Sequence, residues 1–152
     1  MSNVRVTTKF TGDEYARKLA RHLDSNLDRA AISLTNAVKK SMPGSGLAGG
    51  RSGASKADRA ANRSTTPNPP HRDTGHLVRN ISYDKGGAEQ LQRGRRVRRV
   101  GTGIGNKESV NYALALELGR RDGTIEERPY LRPMLRTMQS AITNMIRRPF
   151  KG

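Results

Sequence analysis

Residues 67–80 read PNPPHRDTGHLVRN, and inside them Asp73, Thr74 and Gly75 form the tripeptide that supplies the catalytic carboxylate of aspartic proteases. That chemistry needs an Asp at the end of an apolar strand and a loop that holds two carboxylates about 3 Å apart, so that they share one proton. Here the Asp follows Pro69, Pro70, His71 and Arg72; no apolar strand leads in, and His and Arg beside it favour the ionised form. The same residues suit a helix start, with Asp73 or Thr74 as N-cap, Gly75 easing entry, and Leu77, Val78 and Ile81 on the turn that follows.

Other reactive side chains point to no catalytic or metal centre. The 3 histidines, His22, His71 and His76, have no carboxylate at a spacing typical of a metal site, and His71 and His76 read as a surface pair across a turn. GTGIGNKES, residues 101–109, alternates glycines but lacks the order of a phosphate-binding loop and matches a dinucleotide fingerprint poorly, so it reads as a strand end with a turn. Glu117, Glu126 and Glu127 have only arginines to pair with and read as salt-bridge partners. No catalytic, cofactor-binding or metal-ligating residue is assigned.

Basic residues are the dominant chemistry. The chain of 152 residues has 29 Lys and Arg against 13 Asp and Glu, a formal charge of +16, which favours a polyanionic partner, nucleic acid first. Arg93, Arg95, Arg96, Arg98 and Arg99 fall on one hairpin, and Arg132, Arg136, Arg147, Arg148 and Lys151 on the last helix; all are candidates to face phosphate. The plainer reading is that they solubilise the surface and pair with acids. With no Trp and 2 Phe, stacking on bases has little support, so the contact expected is with the backbone and independent of sequence.

The elements that must place these residues follow from periodicity. VRVTTKF, residues 4–10, alternates as a short strand, a sheet edge or an arm on a neighbouring subunit. Thr11 and Glu14 form a capping box, and Tyr15, Leu19, Leu23, Leu27, Ala30 or Ala31, Leu34 and Val38 recur at spacings of three and four. One amphipathic helix of roughly 30 residues, about 45 Å, results, and it stops at Lys39, Lys40, Pro43 and Gly44. Residues 43–70 are rich in Gly, Ser, Ala, Arg and Pro with almost no large apolar side chain, too long for a passive connection and either mobile or ordered by a partner.

Beyond the loop, ISYD and RGRRVRRVGTGIG make an antiparallel strand pair, one strand of it strongly basic. SVNYALALEL, residues 109–118, places Val110, Ala113 or Leu114, and Glu117 or Leu118 at helical spacing, with Ser109 as N-cap and Gly119 as C-cap. After the charged loop from Arg120 to Arg128, Pro133 suits a first helical position, and Leu131, Leu135, Met138, Ile142 and Met145 or Ile146 form one stripe that stops before Pro149. No acid follows Glu127, so the last helix is apolar on one side and cationic on the other. The expected fold is α+β in a single domain, 1–152: a long N-terminal and a C-terminal helix packed on a small, mostly antiparallel sheet, with one long extended loop.

Composition sets the outer bounds. With no cysteine there is neither a disulfide scaffold nor a thiolate zinc site, and no apolar run approaches the length of a membrane span. Met1 to Phe10 is too polar for a signal peptide, so a soluble protein made inside a cell, or in a particle assembled there, is expected.

Three segments, PPHRDTGHLVRNISY, NYALALELGRRDG and RPYLRPMLRTM, together resemble the tail-completion, or head-tail joining, proteins from the neck of tailed double-stranded DNA phages. The resemblance rests on Asp73, Thr74, Gly75, Leu77 and Ile81; on Tyr112, Ala113, Glu117 and Gly119; and on Arg128, Pro129, Tyr130, Leu131, Arg132 and Pro133, in the family's order and between helices in the family's places. Asn80 stands where Ser is usual, Leu116 where an aromatic is frequent, and Tyr130 where Phe is usual; the loop of 43–70 lies outside the resemblance.

The resemblance implies a non-enzymatic virion protein, assembled in the host cytoplasm, with no cofactor and no membrane partner. It would form a ring, sixfold in the family's manner, between the head connector or stopper and the tail terminator or tail tube. Double-stranded DNA would pass through it without sequence-specific contact. On that reading part of the cluster Arg93 to Arg99, with Arg147 and Arg148, faces the channel or an acidic partner ring, and the N-terminal arm and the long loop carry contacts between subunits or rings. The alternative from charge alone is a free-standing basic nucleic-acid-binding module. A hydrolase rests only on Asp73.

Overall fold

The computed structural model describes residues 12–44, 68–70, 72, 75–84, 91–92, 95–104 and 110–151. The expected N-terminal strand, the capping-box residue Thr11, most of the loop of 43–70, Asp73, Thr74, Arg93 and Ser109 lie outside the described residues.

The architecture is α+β, as expected. Helix α1, Gly12–Ser41, runs for 30 residues, with Asp13 and Glu14 in its first turn and Lys39 and Lys40 in its last, each sign matched to the helix dipole. The chain leaves it through Met42, which is buried, then Pro43 and Gly44. Gly44 and Arg72 form a parallel bridge, Arg72 N donates to the Pro43 carbonyl at 2.9 Å, and the Arg72 guanidinium donates to the Lys39 carbonyl. The two ends of the long loop are thus tied at its base, by a cation that also satisfies the C-terminus of α1.

Helix α2, His76–Asn80, follows. Its N-cap position is held by Gly75 and not by Asp73 or Thr74, and no side chain caps it: the entry is made by backbone geometry, φ 62° and ψ 4°, a left-handed conformation that suits glycine. Strand β1, Ser82–Tyr83, pairs antiparallel with β4, Val100–Gly101, in the register Ser82 with Gly101 and Tyr83 with Val100. Between them β2, Leu91–Gln92, and β3, Arg95–Arg96, form a second antiparallel ribbon. Asp84 extends the first pair, its N–H donating to the Arg99 carbonyl at 3.1 Å and its Oδ1 accepting from Arg99 N at 2.7 Å.

Helix α3, Ala113–Leu118, ends at Gly119, φ 73°, where an added Cβ would stand 3.4 Å from Glu127 N. Helix α4, Leu131–Ile146, closes the fold. It starts two residues before Pro133, which is therefore its third residue and not its first. Still within the first turn, the missing N–H of Pro133 costs no intrahelical bond.

The core is one cluster of Val38, Met42, Leu77, Ile81, Val110, Ala113 and Tyr130, with Leu34, Val78, Leu116, Leu131 and Met134 packed against it. It gathers the C-terminal half of α1, α2, α3 and the start of α4. Helix α1 runs antiparallel along α4: Val38 and Leu131 belong to the core at one end, while at the other Asn26 Nδ2 donates to the Ile146 and Arg148 carbonyls at 3.4 and 3.3 Å and His22 Nε2 lies 2.9 Å from the Arg148 carbonyl. Phe150 packs edge-on against Tyr15, ring centres 5.5 Å apart, and tilted against His22 at 5.3 Å.

The apolar stripe expected on α1 is therefore only half right. Asn26, Ala30, Ala31, Thr35 and Val38 are its buried residues, whereas Tyr15 is 57% and Leu23 37% exposed. On α4 no residue is fully buried, and Leu135, placed on the stripe, is 49% exposed. Among the described residues, a single helix pair over two short ribbons has no further layer to cover these outward faces.

Candidate functional site

The residues singled out from the sequence segregate into two arrangements, one built on a carboxylate and one on arginines. The first begins with Tyr130, a residue type that caps helices poorly, at the N-cap of α4 with no side-chain cap of its own. Glu117 supplies the missing acceptor from α3. Its Oε2 accepts from Tyr130 N at 2.8 Å and Leu131 N at 2.9 Å, and its Oε1 from Arg132 N at 2.8 Å. With Pro133 having no N–H, all four orphan positions of the helix start are accounted for. Glu117 is 7% exposed, and its carboxylate sits on the positive end of the α4 dipole, where a negative charge is stabilised.

Arg132 completes this junction, donating from Nε to Glu117 Oε1 at 3.2 Å and from Nη2 to the Glu117 carbonyl at 2.5 Å, with Glu127 Oε2 at 3.7 Å. It serves as a clamp between α3 and α4, the acid pairing that was the plainer expectation, with its side chain still 48% exposed. Tyr130 is buried at 3% exposure with its hydroxyl 3.4 Å from the Ala113 carbonyl. Burial first, then the charges of Glu117 and Tyr112, pushes its pKa up to about 12. Arg128 N donates to the Leu116 carbonyl at 2.6 Å, fastening the loop after α3 back on to it, and Pro129 is half-buried in the extended approach to α4. Asp122 Oδ1 accepts from Thr124 N and Oγ1 at 3.0 and 2.6 Å, and these bonds lower its pKa.

The second arrangement links β3 and the segment after it to α1. Asp24 and Asp28, one helical turn apart, receive the arginines. Arg96 pairs with Asp24; Arg98 Nε donates to Asp28 Oδ1 at 2.5 Å and its Nη2 lies 3.4 Å from Asp24 Oδ1. The Arg98 side chain is only 4% exposed. Burial works against its charge, yet the hydrogen bond and charge of Asp28, with Asp24 behind it, hold its pKa above the ordinary arginine value.

For Arg98 alone this corrects the expectation of a side chain facing a channel or partner ring. Arg98 faces inward and is spoken for by two carboxylates, and Arg96 is partly neutralised by one of them. Arg99 is exposed, while the side chains of Arg93 and Arg95 lie outside the described residues. Arg136, Arg147, Arg148 and Lys151 are exposed, and the paired Arg132 side chain is 48% exposed, so the described candidates open to solvent are Arg99, Arg132 and these four.

Among the described residues no group of three or more His, Cys, Asp or Glu could hold a metal ion, and no helix is long and apolar enough to cross a membrane. Asp84 Oδ2 and Arg128 Nε are buried without a hydrogen-bond partner among the described residues. Sequence reasoning missed the destination of Glu117. The available signal was a helix start at Tyr130 that has no capping side chain, preceded at 13 residues by a carboxylate on an otherwise apolar helix.

The contacts of this site thus do structural chemistry: a carboxylate that starts a helix, and an ion network that pins a hairpin to another. Comparison of the chain with protein-family models, with curated proteins and with solved structures finds no match.

Proposed function

We propose that this chain is a structural, non-enzymatic protein of a phage neck, one subunit of a ring that joins the head connector to the tail and lets DNA pass. What carries the reading is the way the three segments of the resemblance serve one another. Leu77 and Ile81 of the first share a core with Ala113 of the second and Tyr130 of the third, and Glu117 of the second starts the helix that the third opens. A set of motifs that act together as one mechanical unit is what a family kept for its fold, and not for a reaction, would have in common. The exposed cations on α4 and after it suit weak, releasable contact with phosphate.

The test is a phage whose copy of this sequence is deleted. Electron microscopy should show DNA-filled heads without tails beside free, complete tails. Normal infectious particles would overturn the proposal. Purified protein should bind duplex DNA only weakly at physiological salt; tight binding with a steep salt dependence would point instead to a nucleic-acid-binding module.

A further inference from the structure

We infer that the C-terminal tail, residues 147–151, is a strap closed over α1, and that its release frees residues 12–23 while the core stays folded. The strap is a conformational device of the single chain, and it operates whether or not copies of the chain form a ring.

Local sequence shapes the strap. Pro149 cannot continue a helix and biases the residue before it, Arg148, towards extended backbone, so the chain leaves α4 through Arg148, Pro149 and Phe150 without starting another turn. Arg147 N closes the last turn of α4 by donating to the Thr143 carbonyl at 2.9 Å. No glycine follows to fold the chain back over the last carbonyls, and α1 supplies a donor in its place. Asn26 is 1% exposed, and its amide donates to the Ile146 and Arg148 carbonyls at 3.4 and 3.3 Å. His22 Nε2 lies 2.9 Å from the same Arg148 carbonyl; a carbonyl only accepts, so Nε2 is the ring nitrogen that donates there. Phe150 then lies against Tyr15 and His22, ring centres 5.5 and 5.3 Å apart. Asn26 is thus a buried pin for the tail, and Phe150 is the tail's far clasp.

The part of α1 beneath the clasp has few other attachments. None of residues 12–23 is buried, whereas from Asn26 onwards α1 sends Ala30, Ala31, Thr35 and Val38 into the interior. The hydrogen bond and the ring contacts that leave α1 from residues 12–23 end on Arg148 and Phe150. The other polar contacts of this stretch, Arg17 to the Asp13 carbonyl, Arg21 to the Arg17 carbonyl and Lys18 to Glu14, stay within the helix. Next along, Asp24 and Asp28 are held by Arg96 and Arg98, which marks where the loosely attached part stops. Residues 12–23 make about three turns, a length at which a helix without tertiary contacts is marginal in water. A segment with so little buried surface opens at lower cost than the core, so strap and half-helix form one unit that lets go by itself.

Hydrogen exchange resolved by peptide tests the strap on the full chain. Phe150→Ala removes both ring contacts and should lower the protection of residues 12–23 about tenfold, while residues 34–42 and 131–142 stay within about twofold of the unaltered chain. Phe150→Tyr keeps the ring and should leave all three segments unchanged. Deletion of residues 148–152 removes the strap without altering α1, and should lower residues 12–23 further than Phe150→Ala does, again with the core segments unchanged. An equal loss across the whole of α1 would make the tail a brace of the entire fold with no separate unit beneath it. Unchanged protection of residues 12–23 after the deletion would mean that the tail holds nothing down. Either result overturns the inference.

Discussion

Glu117 shows how much a single side chain can organise when it is buried at a helix start. Three backbone N–H groups converge on its carboxylate, and without it they would be left unpaired beside a core residue, Tyr130. Glu117→Ala should cost about 3 kcal/mol in urea unfolding, since bonds to a charged acceptor are worth roughly 1.5 to 3 kcal/mol and the orphaned donors lie in a partly dry site. Glu117→Gln, which keeps an acceptor and loses the charge, should cost about half as much. Tyr130 next to it gives a pH signature. Its pKa is raised from 10.0 to about 12, so the folded state holds the phenolic proton more tightly than the unfolded chain does. The contribution is complete below about pH 10 and disappears as pH rises towards 12, by at most about 2 to 3 kcal/mol. Tyr130→Phe should therefore flatten the alkaline limb of a stability–pH curve while costing under about 1 kcal/mol at pH 7, because the hydroxyl bond it removes is long at 3.4 Å. A limb of unchanged steepness in the variant would assign that loss to other groups.

At the level of elements, Arg98 is the fastener between the β3 segment and α1, and its energetics are those of a charge that is nearly dry. Asp28→Asn removes one partner and leaves the guanidinium buried; with the Asp28 side chain 39% exposed and Asp24 still near, a loss of about 1 to 2 kcal/mol is expected. Arg98→Met, similar in volume and uncharged, should cost less than Asp28→Asn does, because it removes the desolvation penalty along with the attraction. The reverse order in denaturant titrations would mean that the pair is net stabilising. Such fasteners are also where the sequence was least legible. The two long helices, the pairing of ISYD with the basic strand and the glycine stops could be read, since each depends on local period and turn chemistry. Which of Arg93 to Arg99 meets Asp24 depends on how a hairpin some 70 residues further along lies across α1, and no local pattern encodes that. The α1 stripe was misplaced for a related reason: α4 is 16 residues against 30, and the position under its C-terminal carbonyls is filled by Asn26, a polar residue that a search for apolar period passes over.

For the whole molecule, the proposed ring requires copies of a +16 chain to overcome their mutual repulsion. A domain of this size has a radius of gyration of about 15 Å, so two copies in contact have centres roughly 35 Å apart. Treated as points in water, their charges would repel by about 30 kcal/mol, cut to about 10 kcal/mol at 0.01 M salt, where the Debye length is about 30 Å, and to below about 1 kcal/mol at 0.15 M, where it is about 8 Å. The attractive side behaves differently. Burial of apolar side chains between copies would not depend on this screening, and a few exposed acid–base pairs would contribute roughly 0.2 to 1 kcal/mol each over distances too short for salt to remove them entirely. In a ring held by apolar contact, repulsion would therefore decide the outcome at low salt and apolar contact at physiological salt. Self-association measured by sedimentation should rise between about 0.01 and 0.15 M salt and change little up to about 0.5 M. Short duplex DNA at low salt should promote it in the same way, by neutralising the cations that face one another. An oligomer that instead dissolves steadily as salt is added from the lowest concentration would show that ion pairs and not apolar contact hold the copies together.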